Sequence, residues 1–212
     1  LLLIAARIAL FGIALALVAP ISTSAVAAPA AGQSLFPLVV GATWVRKSDD
    51  GDEATSRVVG PKTVGSTRCV VIERKAVERG RERVTRSCFQ ATATEILVIE
   101  TTNMRGEPQV LNPSRPQLKL PPKVGQTWSW APAESFFDLK IVEKWLGEET
   151  VKTPAGTYRA WKLQTVTTGE GFSLTTLTWY APGVGVVRSE RKGQRRDREI
   201  KGWTELISYK VP

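Results

Sequence analysis

The chain has 212 residues, a formal net charge of +9, two cysteines and no histidine. Without histidine there is no Ser-His-Asp triad and no imidazole metal ligand, which excludes two common hydrolytic chemistries. The length suits one substantial core or two small ones, and the basic balance either favours anionic partners or only keeps the protein soluble.

Residues 1–30 read as a secretory signal peptide. A short apolar run, 8–19, follows Arg7, and Ala25-Val26-Ala27 and Ala28-Pro29-Ala30 offer A-x-A cleavage sites. The run is shorter than the roughly 20 apolar residues a spanning helix needs. The expected location is periplasmic or secreted after cleavage of this signal helix. The leader ends without a cysteine, so lipid attachment there is not expected.

Residues 31–212 read as a single β domain. Phe36-Pro37-Leu38 leads into Gly41-Ala42-Thr43-Trp44, and Ser48-Asp49-Asp50-Gly51-Asp52-Glu53 makes a polar turn. Those acids lack the spacing of a calcium-binding EF-hand loop. A strand over 55–59 precedes a turn at Pro61-Lys62-Thr63-Val64-Gly65. Residues 67–77 and 81–90 then form a hairpin around Glu78-Arg79-Gly80.

Cys69 and Cys88 lie on the two arms of that hairpin, almost equidistant from its turn. In an oxidising compartment such a pair forms a cross-strand disulfide. Closing that loop stabilises by about 3 kcal/mol. A redox role is disfavoured, because the C-x-x-C spacing is absent. No metal set is found.

An internal duplication follows. Phe36-Pro37-Leu38-Val39-Val40-Gly41-Ala42-Thr43-Trp44 corresponds to Leu120-Pro121-Pro122-Lys123-Val124-Gly125-Gln126-Thr127-Trp128, both containing P-x-x-V-G-x-T-W. Further on, Cys69 aligns with Ala160, Cys88 with Trp179 and Phe89 with Tyr180. The repeats span approximately 36–111 and 120–190. Asn112-Pro113-Ser114-Arg115-Pro116 reads as a proline-rich connector between them.

In the second half, 135–146 alternates Phe137, Leu139, Ile141 and Trp145 with polar neighbours and reads as a long strand. Residues 153–190 read as a three-stranded meander, turning at Thr168-Gly169-Glu170-Gly171 and Ala181-Pro182-Gly183-Val184-Gly185. Arg188, Arg191, Lys192, Arg195, Arg196, Arg198 and Lys201 form a basic hairpin around Gly193-Gln194. It could dock on a polyanion, but its interspersed acids favour a solvated tip. A closing strand over 197–211 ends the chain. The fold class expected is all-β: one antiparallel curved sheet or half-barrel built from two duplicated meanders.

No catalytic constellation emerges. Walker and dinucleotide fingerprints are absent, and Gly183-Val184-Gly185 lies between strands rather than before a helix. No cofactor is expected, and export argues against nucleic acid as a partner. With Thr153-Pro154-Ala155-Gly156-Thr157-Tyr158 and Tyr180-Ala181-Pro182-Gly183-Val184-Gly185-Val186-Val187 in view, the chain resembles the TapB-like family of exported bacterial proteins of unknown function. That resemblance implies a half-barrel similar to the LolA and LolB lipoprotein carriers, wrapped around an apolar cavity. It supplies no catalytic residues. The expected function is non-enzymatic: binding an apolar or lipid-like ligand in the half-barrel. The alternative is an interaction module that engages an anionic envelope polymer or protein through its basic surface.

Overall fold

The computed structural model of the protein describes residues 34–78, 80–103, 105–134 and 138–212. The signal-peptide reading of residues 1–30 lies outside the described residues, as does Phe137 of the alternating run. The strands are β1 (Thr43–Ser48), β2 (Glu53–Val64), β3 (Thr67–Glu78), β4 (Arg81–Ala91), β5 (Glu95–Thr102) and β6 (Pro108–Lys119). They continue as β7 (Thr127–Trp130), β8 (Lys140–Thr153), β9 (Gly156–Gly169), β10 (Phe172–Ala181), β11 (Gly185–Arg195) and β12 (Arg198–Lys210). No helix occurs among the described residues.

All twelve strands belong to one sheet with the order β6-β5-β4-β3-β2-β1-β12-β11-β10-β9-β8-β7. Two consecutive meanders, β1–β6 and β7–β12, are thus joined where the first strand pairs with the last. β6 and β7 are the edges, and they meet to give a nearly closed barrel-like sheet. The two-residue period is plain in β8, where Ile141, Glu143 and Trp145 are buried and Lys140 and Lys144 exposed. Aligned repeat positions lie on strands six apart: Trp44 on β1 and Trp128 on β7, Cys88 on β4 and Trp179 on β10. Register shifts also recur, between Cys88 and Phe89 and between Trp179 and Tyr180.

Three local expectations are corrected. Pro61-Lys62-Thr63-Val64 is not a turn but the end of β2, paired with β3. β1 pairs no further along β2 than Arg57, so the N–H that proline lacks there has no ladder partner to lose. The supposed connector 112–116 lies inside β6, an edge strand, where proline is tolerated for the same reason. Gly193 and Gln194 lie within β11, and the tip is Arg196-Asp197. Glycine is needed at 193 for close approach, since a Cβ there would sit 2.1 Å from the Ser173 carbonyl oxygen.

The antiparallel connections define two ends of the barrel. At one end lie the β2–β3, β4–β5, β8–β9 and β10–β11 turns, and the chain before β1 packs there. Leu35 and Phe36 join Ile96, Leu118, Trp128, Trp145, Leu163 and Tyr180 in one apolar cluster. Trp44, Val58, Trp179, Val187 and Leu206 belong to a second. The Gly183 N–H donates to the Ser34 carbonyl at 3.0 Å, and the Trp44 indole to the Val184 carbonyl at 2.6 Å. Gly185, at φ +91°, brings the backbone so near Pro37 that a Cβ would lie 3.3 Å from its ring. This end is packed shut. The opposite end carries the β1–β2 and β11–β12 turns, whose residues are mostly polar and exposed.

The seam between β6 and β7 is closed by side chains. The indoles of Trp130, Trp128 and Trp145 donate to the carbonyls of Pro113, Pro116 and Lys119 at 2.8, 3.0 and 3.0 Å. They supply donors to carbonyls of a partly buried edge strand that has no ladder partner on that side. Arg115 on β6 also meets Glu143 on β8 at 2.8 Å.

Candidate functional site

The inward positions of β1–β4 determine the site. Cross-strand partners share a face, so Trp44 lies beside Ser56, Ser56 beside Arg74, and Arg74 beside Thr85. Arg46 and Ser87 are two residues further along on that same face. Most of these side chains are short or flexible, and they leave a cavity of about 320 Å³. Phe36, Trp44, Ile72, Phe89 and Val186 wall its inner part, with the Phe36 and Phe89 rings tilted at 52° and their centroids 4.9 Å apart.

A second cavity, of about 450 Å³, opens toward the polar end and is lined by Asp50, Asp52, Glu53, Ala76 and Arg191 among others. Arg46, Ser56 and Arg74 line both cavities, so they stand where the two join. A charged rim thus lies on one side of the two guanidinium groups and a largely apolar chamber on the other.

Arg46 is held in place by protein oxygens. Its Nε and Nη2 donate to the Val186 carbonyl at 3.3 and 3.0 Å, and its Nη1 reaches Ser56 Oγ at 3.5 Å. Burial pulls its guanidinium down to about 10, the Tyr180 side chain opposes that, and nearby Arg74 adds to it. The group remains cationic at neutral pH. At the rim, Asp50 is held below the usual carboxylate range by the Ser48 hydroxyl and by the Asp52 backbone N–H.

A second buried polar group braces the seam. Glu143 is 1% exposed, and burial raises its carboxyl above the usual range, with Arg115 opposing. Tyr180 is pushed up to about 12, mainly by burial. These groups share the barrel interior with packed rings, since Trp145 lies 6.2, 6.0 and 5.9 Å from Trp128, Trp161 and Tyr180.

Of the residues singled out from sequence, Cys69 and Cys88 are joined, with Cα atoms 5.6 Å apart. They are diagonal rather than directly opposite, because Cys88 pairs with Val71. They form a separate small cluster with Ile99. The seven basic residues do not share one face. Arg188, Lys192 and Lys201 lie on one side of the hairpin and Arg191, Arg195 and Arg198 on the other, with Arg196 in the turn. Arg191 belongs to the rim, and Arg188 is paired with Glu190 and Glu205. Sequence reasoning missed Arg46 and Arg74. The available signal was the spacing of Arg46 two residues from Trp44 on one strand, which places both on the same face.

A family model described as DUF3108-like matches residues 132–202. No curated protein matches the chain. Two solved structures share the fold. One is a provisionally named lipoprotein from Parabacteroides distasonis ATCC 8503, 16% identical, covering 84% of this chain and 99% of its own, with a TM-score of 0.51. The other is a provisionally named exported protein with a YmcC-like fold from Bacteroides fragilis NCTC 9343. It is 17% identical, covers 84% of this chain and 100% of its own, and has a TM-score of 0.53. At such identities the likeness extends to the fold. It shows the fold alone, an all-β, nearly closed barrel-like sheet, in line with the curved antiparallel sheet or half-barrel expected from the sequence.

Proposed function

We propose that the protein is a non-enzymatic, extracytoplasmic binding protein that holds an apolar or lipid-like ligand inside its barrel. The observation that carries this reading is the chamber between β1–β4 and the residues before β1, lined on its inner part by apolar side chains. Its volume of about 320 Å³ falls in the range of small-molecule sites, about 300–1,000 Å³. The signal-like leader and the exported or lipoprotein names of the two structural neighbours support a place outside the cytoplasm.

The experiment is titration with a neutral apolar fluorophore such as N-phenyl-1-naphthylamine. Thr85→Phe places a ring in the chamber and should abolish the fluorescence gain that the wild type gives. Equal gains from both proteins would refute binding in the chamber.

A second reading rests on the hairpin. Lys192 pairs directly with Lys201 and Arg195 with Arg198. Such like-charge pairs cost stability unless an anion relieves them. The outward pair would then contact an anionic envelope polymer or protein partner. Attachment to anionic vesicles that is lost on adding salt would support this reading, and salt-independent attachment would argue against it.

A further inference from the structure

We propose that the chamber takes a single-chain amphiphile with an anionic head, a carboxylate or phosphate, bound tail-inward with the head on Arg46 and Arg74. This rests on the ligand-binding reading above and adds to it the charge, the chain number and the orientation of the ligand.

The Arg46 guanidinium supports the charge. Arg46 contacts a carbonyl and a serine, and among the described residues it has no carboxylate partner. A half-buried cation without a counter-charge is costly. An anion on Arg46 removes that cost, and the planar guanidinium fork fits the oxygens of carboxylate and phosphate. Every contact to Arg46 leaves it as a donor to neutral oxygen, so its charge is still available to a ligand.

Position supports the orientation. The guanidinium pair stands between the apolar chamber and the rim, so a head on Arg46 directs its chain toward Trp44, Ile72, Phe89 and Val186. The reverse arrangement would put the head beside Asp50, Asp52 and Glu53, where like charges repel it. Volume supports the chain number. About 320 Å³ lies at the small end of ligand sites, which suits one short chain and not a diacyl lipid.

The test uses delipidated protein and calorimetric titration with decanoate, decyl phosphate, 1-decanol and decyltrimethylammonium. The two anions should bind at least about tenfold more tightly than the alcohol, a difference expected of charge-assisted hydrogen bonds. The cation should bind most weakly. Arg46→Gln and, separately, Arg74→Gln should bring the anions to the affinity of the alcohol while leaving the alcohol unchanged. Ser56→Asp, which places a carboxylate against Arg46, should have the same effect and covers the case in which Arg46→Gln fails to fold.

Equal affinity for anions and alcohol in the wild type, or a preference that survives all three substitutions, overturns this proposal while leaving ligand binding intact. Binding of none of the four overturns both. A preference for decyl phosphate over decanoate, or the reverse, identifies the source of the head within the supported proposal.

Discussion

The two meanders share a strand plan but treat the barrel interior differently. Inward positions of β7–β10 carry Trp128, Trp145, Trp161, Leu163 and Tyr180, which fill the space between the walls. Inward positions of β1–β4 also carry Trp44, Ile72 and Phe89, but Arg46, Ser56, Ala76, Thr85 and Ser87 beside them leave space unfilled. One half is a packed core that also latches the seam, and the other is the wall of a chamber. The comparison teaches that a repeated strand framework fixes the architecture, while side-chain volume on a single face decides whether it encloses a core or a site.

The comparison is broken most severely at the filled half. Trp145 is fully buried, packs on three rings and donates to Lys119. Trp145→Ala should cost about 3–5 kcal/mol, read as a lowered urea midpoint. A loss below about 1 kcal/mol would show that the aromatic cluster does not hold the two edges together.

Next comes the outer staple of the open half. Replacing both Cys69 and Cys88 by serine should cost about 3 kcal/mol. Affinity for chamber ligands should be unchanged, because the cystine clusters with Ile99 and not with the chamber residues. Ligand affinity falling along with stability would contradict this separation.

Glu143 gives a pH-dependent effect confined to the filled half. Its native carboxyl is raised above the ordinary 4.5 by burial. A raised acid contributes stability that is full below its unfolded value and is lost as pH rises through its native value. Glu143→Gln removes that dependence. The stability of the variant relative to wild type should therefore rise as pH is increased upward from 4.5. Parallel urea midpoints across that interval would show that Glu143 ionises as freely in the fold as outside it.

The smallest effect on stability belongs to the open half. Thr85→Phe should change stability by less than about 1 kcal/mol, since it enters unfilled space. The same increase in volume in a packed core costs about 1–3 kcal/mol. A loss in that range, measured by urea unfolding, would mean the chamber is not free space.

The strand framework was legible in the sequence because it depends on local signals. Turn glycines, alternating apolar residues and the cysteine spacing all act over a few residues or one hairpin. The prolines of β6 misled because a proline-rich run is a connector in most settings. Here it is an edge strand, and its suitability depends on indoles from β7 and β8 that are distant in the chain. The chamber was less legible for a related reason. Arg46 looks like a surface charge in isolation, and only the pairing of distant strands brings it against Val186 of β11, while Arg74 lines the cavities and stays exposed. The seven hairpin cations looked like one patch because sequence neighbours on a strand point to opposite faces, and β11 divides them.

The most direct test of the account is native mass spectrometry of the protein recovered from the cells that make it, wild type beside Thr85→Phe. The account predicts that the wild type retains a small amphiphile at one per chain and that Thr85→Phe, folded to the same degree, is bare. Equal occupancy in the two proteins, or two bare masses, would contradict it.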